Sequence, residues 1–245
     1  MSTIDAYFHN LNELLARTLD TQHEPMEAAA RHIADCFRQG GMVYTFGTGH
    51  GHLLALEIFY RAGGMARVCP ILDEKLMLHI SAAGSTLEER REEWVPLLLE
   101  RYPIKAGDVL ISISNSGRNA VPVLLAKEAR ARGAYVIALT SMNHTSAVTS
   151  RNSLGLRLFE TADLILDNGG VLGDAAIPYA DGSMVGATST AVGAAMLQAI
   201  VCRVKELSLE EGFEADFFKS SNVDGGDEWN DRLIERYKDV IPGLL

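Results

Sequence analysis

The sequence holds 245 residues, 47% hydrophobic and 22% charged, with a formal net charge of -10. That is enough for one large domain with an ample core, and it argues against DNA or RNA as the main partner, because no basic surplus exists to neutralise phosphates. Three widely spaced cysteines (Cys36, Cys69, Cys202) exclude a disulfide framework or a CxxC-type zinc site, and no stretch reaches the ~18 apolar residues that cross a membrane.

In chain order, Ile4, Phe8, Leu11, Leu15 and Leu19 recur at helical spacing, and a second helical run carries Met26, Ala29, Ile33 and Phe37 before Gly40-Gly41 stops it. Residues 1–40 are therefore expected to form an N-terminal helical extension of two helices. The opening MSTIDAYFHN carries no basic segment followed by an apolar run, so a cytoplasmic location is expected, with the cysteines as core residues in a reducing compartment. Met42–Phe46 then reads as a strand running into Gly47-Thr48-Gly49-His50-Gly51, followed by a helix to about Arg61. Ala66–Pro70 is a second strand. Ser85-Thr86-Leu87-Glu88-Glu89 offers capping-box spacing for a helix to about Arg101.

Asp108–Ser112 is a third strand, entering a Ser/Gly loop and a helix from Asn119 to about Arg132; Tyr135–Thr140 is a fourth and Asp163–Asp167 a fifth. Short apolar runs alternating with amphipathic helices predict an α/β fold, a doubly wound, flavodoxin-like parallel sheet of five strands over residues 41–170. The Gly-rich segment 168–186 is too polar for a core element. A small-residue helix from Ala187 to about Leu207 and a final helix after Ser220–Asp227 make residues 187–245 a C-terminal helical extension. Nothing divides the chain, so residues 1–245 read as a single domain.

In such a sheet, ligands bind beyond the carboxyl ends of the strands, where strand order reverses. Two loops leave strand ends there and face one another: 47–51 and 112–119. The second suits a phosphate. Ser114 and Ser116 hydroxyls and the Asn115 amide donate to anionic oxygens, Gly117 lets the backbone approach, and a helix N-terminus follows. The alternative is an ordinary capped turn. Arg118 either adds charge or points to solvent.

The stretch ISNSGRNAVPVLLAKEARARGAYVIALTS resembles the signature of the SIS (sugar isomerase) domain, and FGTGHGHLLALEIFYRAGG resembles that family's first strand and Gly loop. GHGH, STLEER, DNGGVLGDA and SSNVDGGDEWN extend the resemblance, closest to stand-alone sugar isomerase domain proteins, over nearly the whole chain. The resemblance implies a sugar phosphate in the cleft, with Ser114, Asn115, Ser116 and Asn119 on the phosphate loop and Thr48 and Gly49 opposite. The wider family commonly has Ser or Thr where this chain has Asn119. It also implies a homodimer or higher homo-oligomer, with the tail loop 221–227 able to reach a site from a neighbouring subunit.

Moving a proton between C1 and C2 of a sugar phosphate needs a base. Glu57, two helical turns past the Gly loop among Leu and Phe, is one candidate; the other reading is a solvated helix residue. The catalytic Glu of the family's heptose-phosphate isomerases falls one turn later, where this chain has Arg61. Imidazole as a group suits proton transfer and hydroxyl binding, so His50 in the loop is a catalytic candidate, with His52 a substrate-binding one. Glu89 is the third catalytic candidate, or else a capping-box carboxylate. Neither a metal nor a cofactor is expected. Asp167-Asn168 and Gly173-Asp174 either close over the sugar or make turns, and His79 and His144 take no assigned role. Three functions share these features: an isomerase of aldose/ketose or amino-sugar phosphates, a lyase resembling the N-acetylmuramate-6-phosphate etherases, and a non-catalytic phosphosugar sensor.

Overall fold

In the computed structural model, which describes residues 2–245, the N-terminal segment is one helix rather than two. α1 runs unbroken over Thr3–Arg38, opened by a Ser2/Asp5 capping box and carrying Pro25 inside it. Pro25 does not break the helix, and the carbonyl that proline orphans, Thr21 O, accepts from the Gln22 side-chain amide at 3.2 Å. Leu14, Ala30, Ile33 and Phe37 form its buried stripe.

The sheet follows. β1 is Val43–Gly47, α2 is Gly51–Glu57 and β2 is Val68–Ile71. α3 (Ala82–Glu88) and α4 (Trp94–Arg101) lead to β3 (Val109–Ile113), α5 (Ala120–Ala131), β4 (Tyr135–Thr140), α6 (Met142–Ser146) and β5 (Leu164–Asp167). The strands lie in the order β2-β1-β3-β4-β5, all parallel, with Val43 opposite both Val68 and Val109. β1 and β3 are buried along their whole length, as expected of strands covered on both faces. One core cluster joins Ile33, Leu54, Ile111, Leu139 and Met196; the other joins Phe46, Leu98, Leu110, Leu125 and Val136.

Beyond β5 the chain adds a hairpin and the two expected helices. The segment 168–186 is not featureless: β6 (Ala175–Pro178) and β7 (Met184–Ala187) form a separate antiparallel hairpin against the start of α1, where the Tyr7 hydroxyl donates to Ala187 O at 2.7 Å. The small-residue helix is α7, Ser189–Glu210. Gly193 is its close-approach residue, since a Cβ there would lie 2.6 Å from Leu54 Cδ1, while Ala191, Ala195 and Ala199 face outward. The last helix, α8, is Gly226–Tyr237.

The helix expected from Ser85 to Arg101 is two. Ser81, not Ser85, caps α3, accepting from Gly84 N at 3.1 Å. Ser85 is buried within α3, where its hydroxyl donates to Ala82 O. Of the cysteines, Cys36 and Cys69 are buried, their thiols pushed up to about 12 by burial, whereas Cys202 is exposed. No helix is long and apolar enough to cross a membrane among the described residues.

Candidate active site

β1 and β3 are neighbours, so the loops leaving their carboxyl ends face one another across a cavity of about 450 Å³. Both loops are held by glycine. A Cβ on Gly47 would lie 2.4 Å from the Gly51 backbone, and one on Gly117 (φ 56°) 2.8 Å from Thr145 Oγ1, so neither turn accepts a side chain.

On the β3 side, Ser114, Asn115, Ser116 and Asn119 all line the cavity. Ser114 Oγ accepts from Gly117 N at 3.2 Å, closing the turn. The Asn115 carbonyl takes Ser141 N and the Thr140 hydroxyl, both at 3.2 Å, and its Oδ1 takes Asn168 Nδ2 at 2.9 Å. The loop is thus braced from β4 and from the end of β5. Arg118 does not line the cavity; it donates to Thr149 Oγ1 at 3.2 Å. On the β1 side, Thr48, Gly49 and His50 line it.

Glu89 connects the two sides. It ends α3, and its backbone carbonyl accepts from Val121 N at 3.0 Å. Its carboxylate accepts from Thr48 Oγ1 at 2.5 Å on one oxygen and from Asn119 Nδ2 at 2.7 Å on the other. Asn119 therefore starts α5 without capping it. Burial raises the proton affinity of Glu89 above the ordinary carboxylate value; the Thr48 hydrogen bond and the charges of Arg90 and Arg151 oppose this less strongly. Glu89 is not a capping-box carboxylate. Glu88 holds the surface role, accepting from Trp94 Nε1 at 2.8 Å.

Two sequence candidates fall outside the cavity. α2 ends at Glu57, whose carboxylate is paired with Arg61 and takes Gln198 Nε2 at 2.9 Å; it faces α7, not the cleft. The expectation rested on a longer helix, whereas the chain leaves helical geometry at Ile58. His52 is buried beneath its own loop, its Nδ1 2.5 Å from Gly49 O. Because a carbonyl only accepts, that nitrogen carries the proton, and the ring braces the loop rather than facing the cavity.

The remaining wall comes from residues the sequence left without firm roles: Ser85, Thr86, His144, Asn168, Asp174, Ser189 and Thr190. Asp174, at φ 67°, starts α7 by accepting from Ser189 N at 2.9 Å and from the Ser189 hydroxyl at 2.5 Å. Asp167 makes turns, accepting from Met142 N and Gly169 N. The tail loop packs on its own helix through Asn230 and does not line this cavity. His79 is exposed, its ring 6.4 Å from that of His52. Among the described residues, no three His, Cys, Asp or Glu side chains are grouped to hold a metal.

A family model described as SIS domain matches residues 6–141. The chain belongs to the SIS domain family. A UPF0309 protein of Geobacillus thermodenitrificans is 42% identical over 243 residues, covering 99% of this chain and 98% of the relative. One from Halalkalibacterium halodurans is also 42% identical, over 237 residues, covering 96% of this chain and 98% of that one. Among solved structures, a phosphoheptose isomerase from Neisseria gonorrhoeae aligns at TM-score 0.56 and 18% identity, over 83% of this chain and 97% of its own. The Vibrio vulnificus NanR protein, complexed with ManNAc-6P, aligns at 0.53 and 17%, over 98% of this SIS chain and 69% of its own. These likenesses establish the architecture as the SIS fold.

Proposed function

We propose that this SIS protein is a phosphosugar isomerase in which Ser114–Gly117 holds the phosphate and Glu89 moves the proton between adjacent sugar carbons. The observation that carries the reading is a buried carboxylate of raised proton affinity in the wall of the same cavity as a braced loop of hydroxyl and amide donors. Removing a proton alpha to a carbonyl needs a base that also returns it, and a carboxylate of raised proton affinity serves both halves better than an ordinary one. Asn119 Nδ2 and the Thr48 hydroxyl orient Glu89, and His50 at the cavity rim is placed to assist ring opening. The protein acts in the cytoplasm as a homodimer, with sugar phosphates rather than nucleic acid or membranes as partners.

A second reading has its own support. Both Glu89 oxygens are engaged by the two loops, so the same carboxylate is suited to holding a binding site shut, as in a phosphosugar sensor. Incubation with hexose, pentose and N-acetylamino-sugar phosphates in deuterated water separates the two. Deuterium entering C1 or C2 supports isomerisation; saturable binding without exchange for every sugar removes it in favour of the sensor.

A further inference from the structure

The cavity wall contains no lysine or arginine among the described residues. Its ionisable side chains are His50, Glu89, His144 and Asp174, two of them carboxylates. A phosphate monoester is close to dianionic at neutral pH. Neutral donors and the start of α5 satisfy its oxygens, but they leave most of its charge uncompensated in a partly desolvated site that already holds carboxylates. Arg118 is turned to Thr149. Within the cavity wall, the side chains able to take on positive charge are the imidazoles of His50 and His144.

His50 is exposed, where water serves its ring. His144 is different. It lies on α6, whose cap residue Ser141 both accepts from His144 N at 3.1 Å and donates its own N–H to Asn115 O at 3.2 Å. The backbone that carries the imidazole is therefore tied to the phosphate loop through Ser141. Its Nδ1 is buried without any hydrogen-bond partner, so no neighbouring group fixes the protonation of the ring through that nitrogen. The charged groups acting on the ring are Arg118, from the phosphate loop, and Asp174, ahead of α7.

We propose that His144 takes up a proton as the phosphate dianion seats, so that the site acquires its positive charge together with its ligand. The proposal rests on the phosphosugar reading. Burial first, and Arg118 with it, hold the proton affinity of His144 below the ordinary imidazole value, while Asp174 pulls the other way. The ring is thus neutral at neutral pH before an anion arrives, and a nearby dianion shifts the balance toward imidazolium. By linkage, anion affinity rises as pH falls, from the titration point of the bound form down to that of the free form.

Sulfate is the probe, because its charge does not change between about pH 5 and 8, where imidazole titrates. Imidazole-nitrogen NMR titrations of the full chain are compared with and without saturating sulfate, with saturation judged from the Ser114–Gly117 backbone amides. The expected result is an upward move of the His144 midpoint by about one pH unit, a tenfold change in its proton affinity. His144→Gln, which keeps a polar side chain, should still bind sulfate at the loop but lose the rise in affinity toward low pH. Loop amides that respond while the His144 midpoint stays fixed overturn the proposal and spare the phosphosugar reading. So does proton uptake that persists in His144→Gln or belongs to His50. A loop unmoved by both sulfate and hexose 6-phosphates overturns the phosphosugar reading and this inference with it.

Discussion

Glu89 holds two loops together at a cost in stability. Its folded-state proton affinity lies above the unfolded value of 4.5. Between those two points the folded protein binds more protons than the unfolded chain, so stability falls as pH rises through that window and the cost is fully present above it. Glu89→Gln removes the buried charge, and Asn119 can meet the new amide by turning its unpartnered Oδ1 toward it. The substitution is expected to raise Tm at neutral pH by about 2–4 °C, roughly 1 kcal/mol in a chain of this size, with the gain vanishing below the unfolded carboxylate value. The same variant should show no deuterium exchange; undiminished exchange would dismiss Glu89 as the base. Ser116→Ala tests the other wall, and thermal stabilisation by sugar phosphates should drop while the ligand-free Tm holds. The donor loop was readable because its chemistry is contiguous in sequence, Ser114 to Asn119. Glu89 was ambiguous because its role depends on α3 ending at Glu88, and His144 was silent because its burial depends on elements distant in sequence.

The strand–loop–helix units could be read from the chain for a similar reason: β1, β3 and β4 are short, mostly apolar runs stopped by glycine or serine. Helix lengths were harder. Local propensity predicts a break at Pro25, but Gln22 satisfies Thr21 O with its amide and accepts from Asp167 N at 2.9 Å with its Oε1. One side chain thus repairs α1 and fastens it to the edge of β5, a long-range contact that no local pattern contains. Pro25 still keeps its helix penalty of about 3 kcal/mol relative to alanine, less the ~1 kcal/mol by which proline stiffens the unfolded chain. Pro25→Ala should therefore stabilise the protein by about 1–2 kcal/mol in urea unfolding with unchanged m-value. A loss of stability would refute this balance of helix penalty against unfolded-chain stiffness.

For the molecule as a whole, the arrangement around the hairpin bears on assembly. β6 and β7 form a two-stranded unit outside the main sheet, and such hairpins are marginal unless packed on something larger. One face meets α1, leaving Ile4, Phe8, Tyr179, Met184 and Val185 exposed around a groove of about 300 Å³. That patch adjoins the candidate active-site cavity, since Ala175 and Ala187 of the same hairpin line it. Clustered apolar side chains on a chain of net charge -10 are poorly suited to open solvent. A second copy burying about 1,000 Å² or more would cover them and stiffen the cavity rim. Sedimentation velocity at micromolar concentration should give twice the 26.6 kDa chain mass. Val185→Glu and Phe8→Glu should each shift the population toward the monomer and lower the ligand-free Tm in a concentration-dependent way. A monomeric wild type, or variants that remain dimeric, would mean that subunits meet elsewhere or not at all, leaving the hairpin to be held by α1 alone.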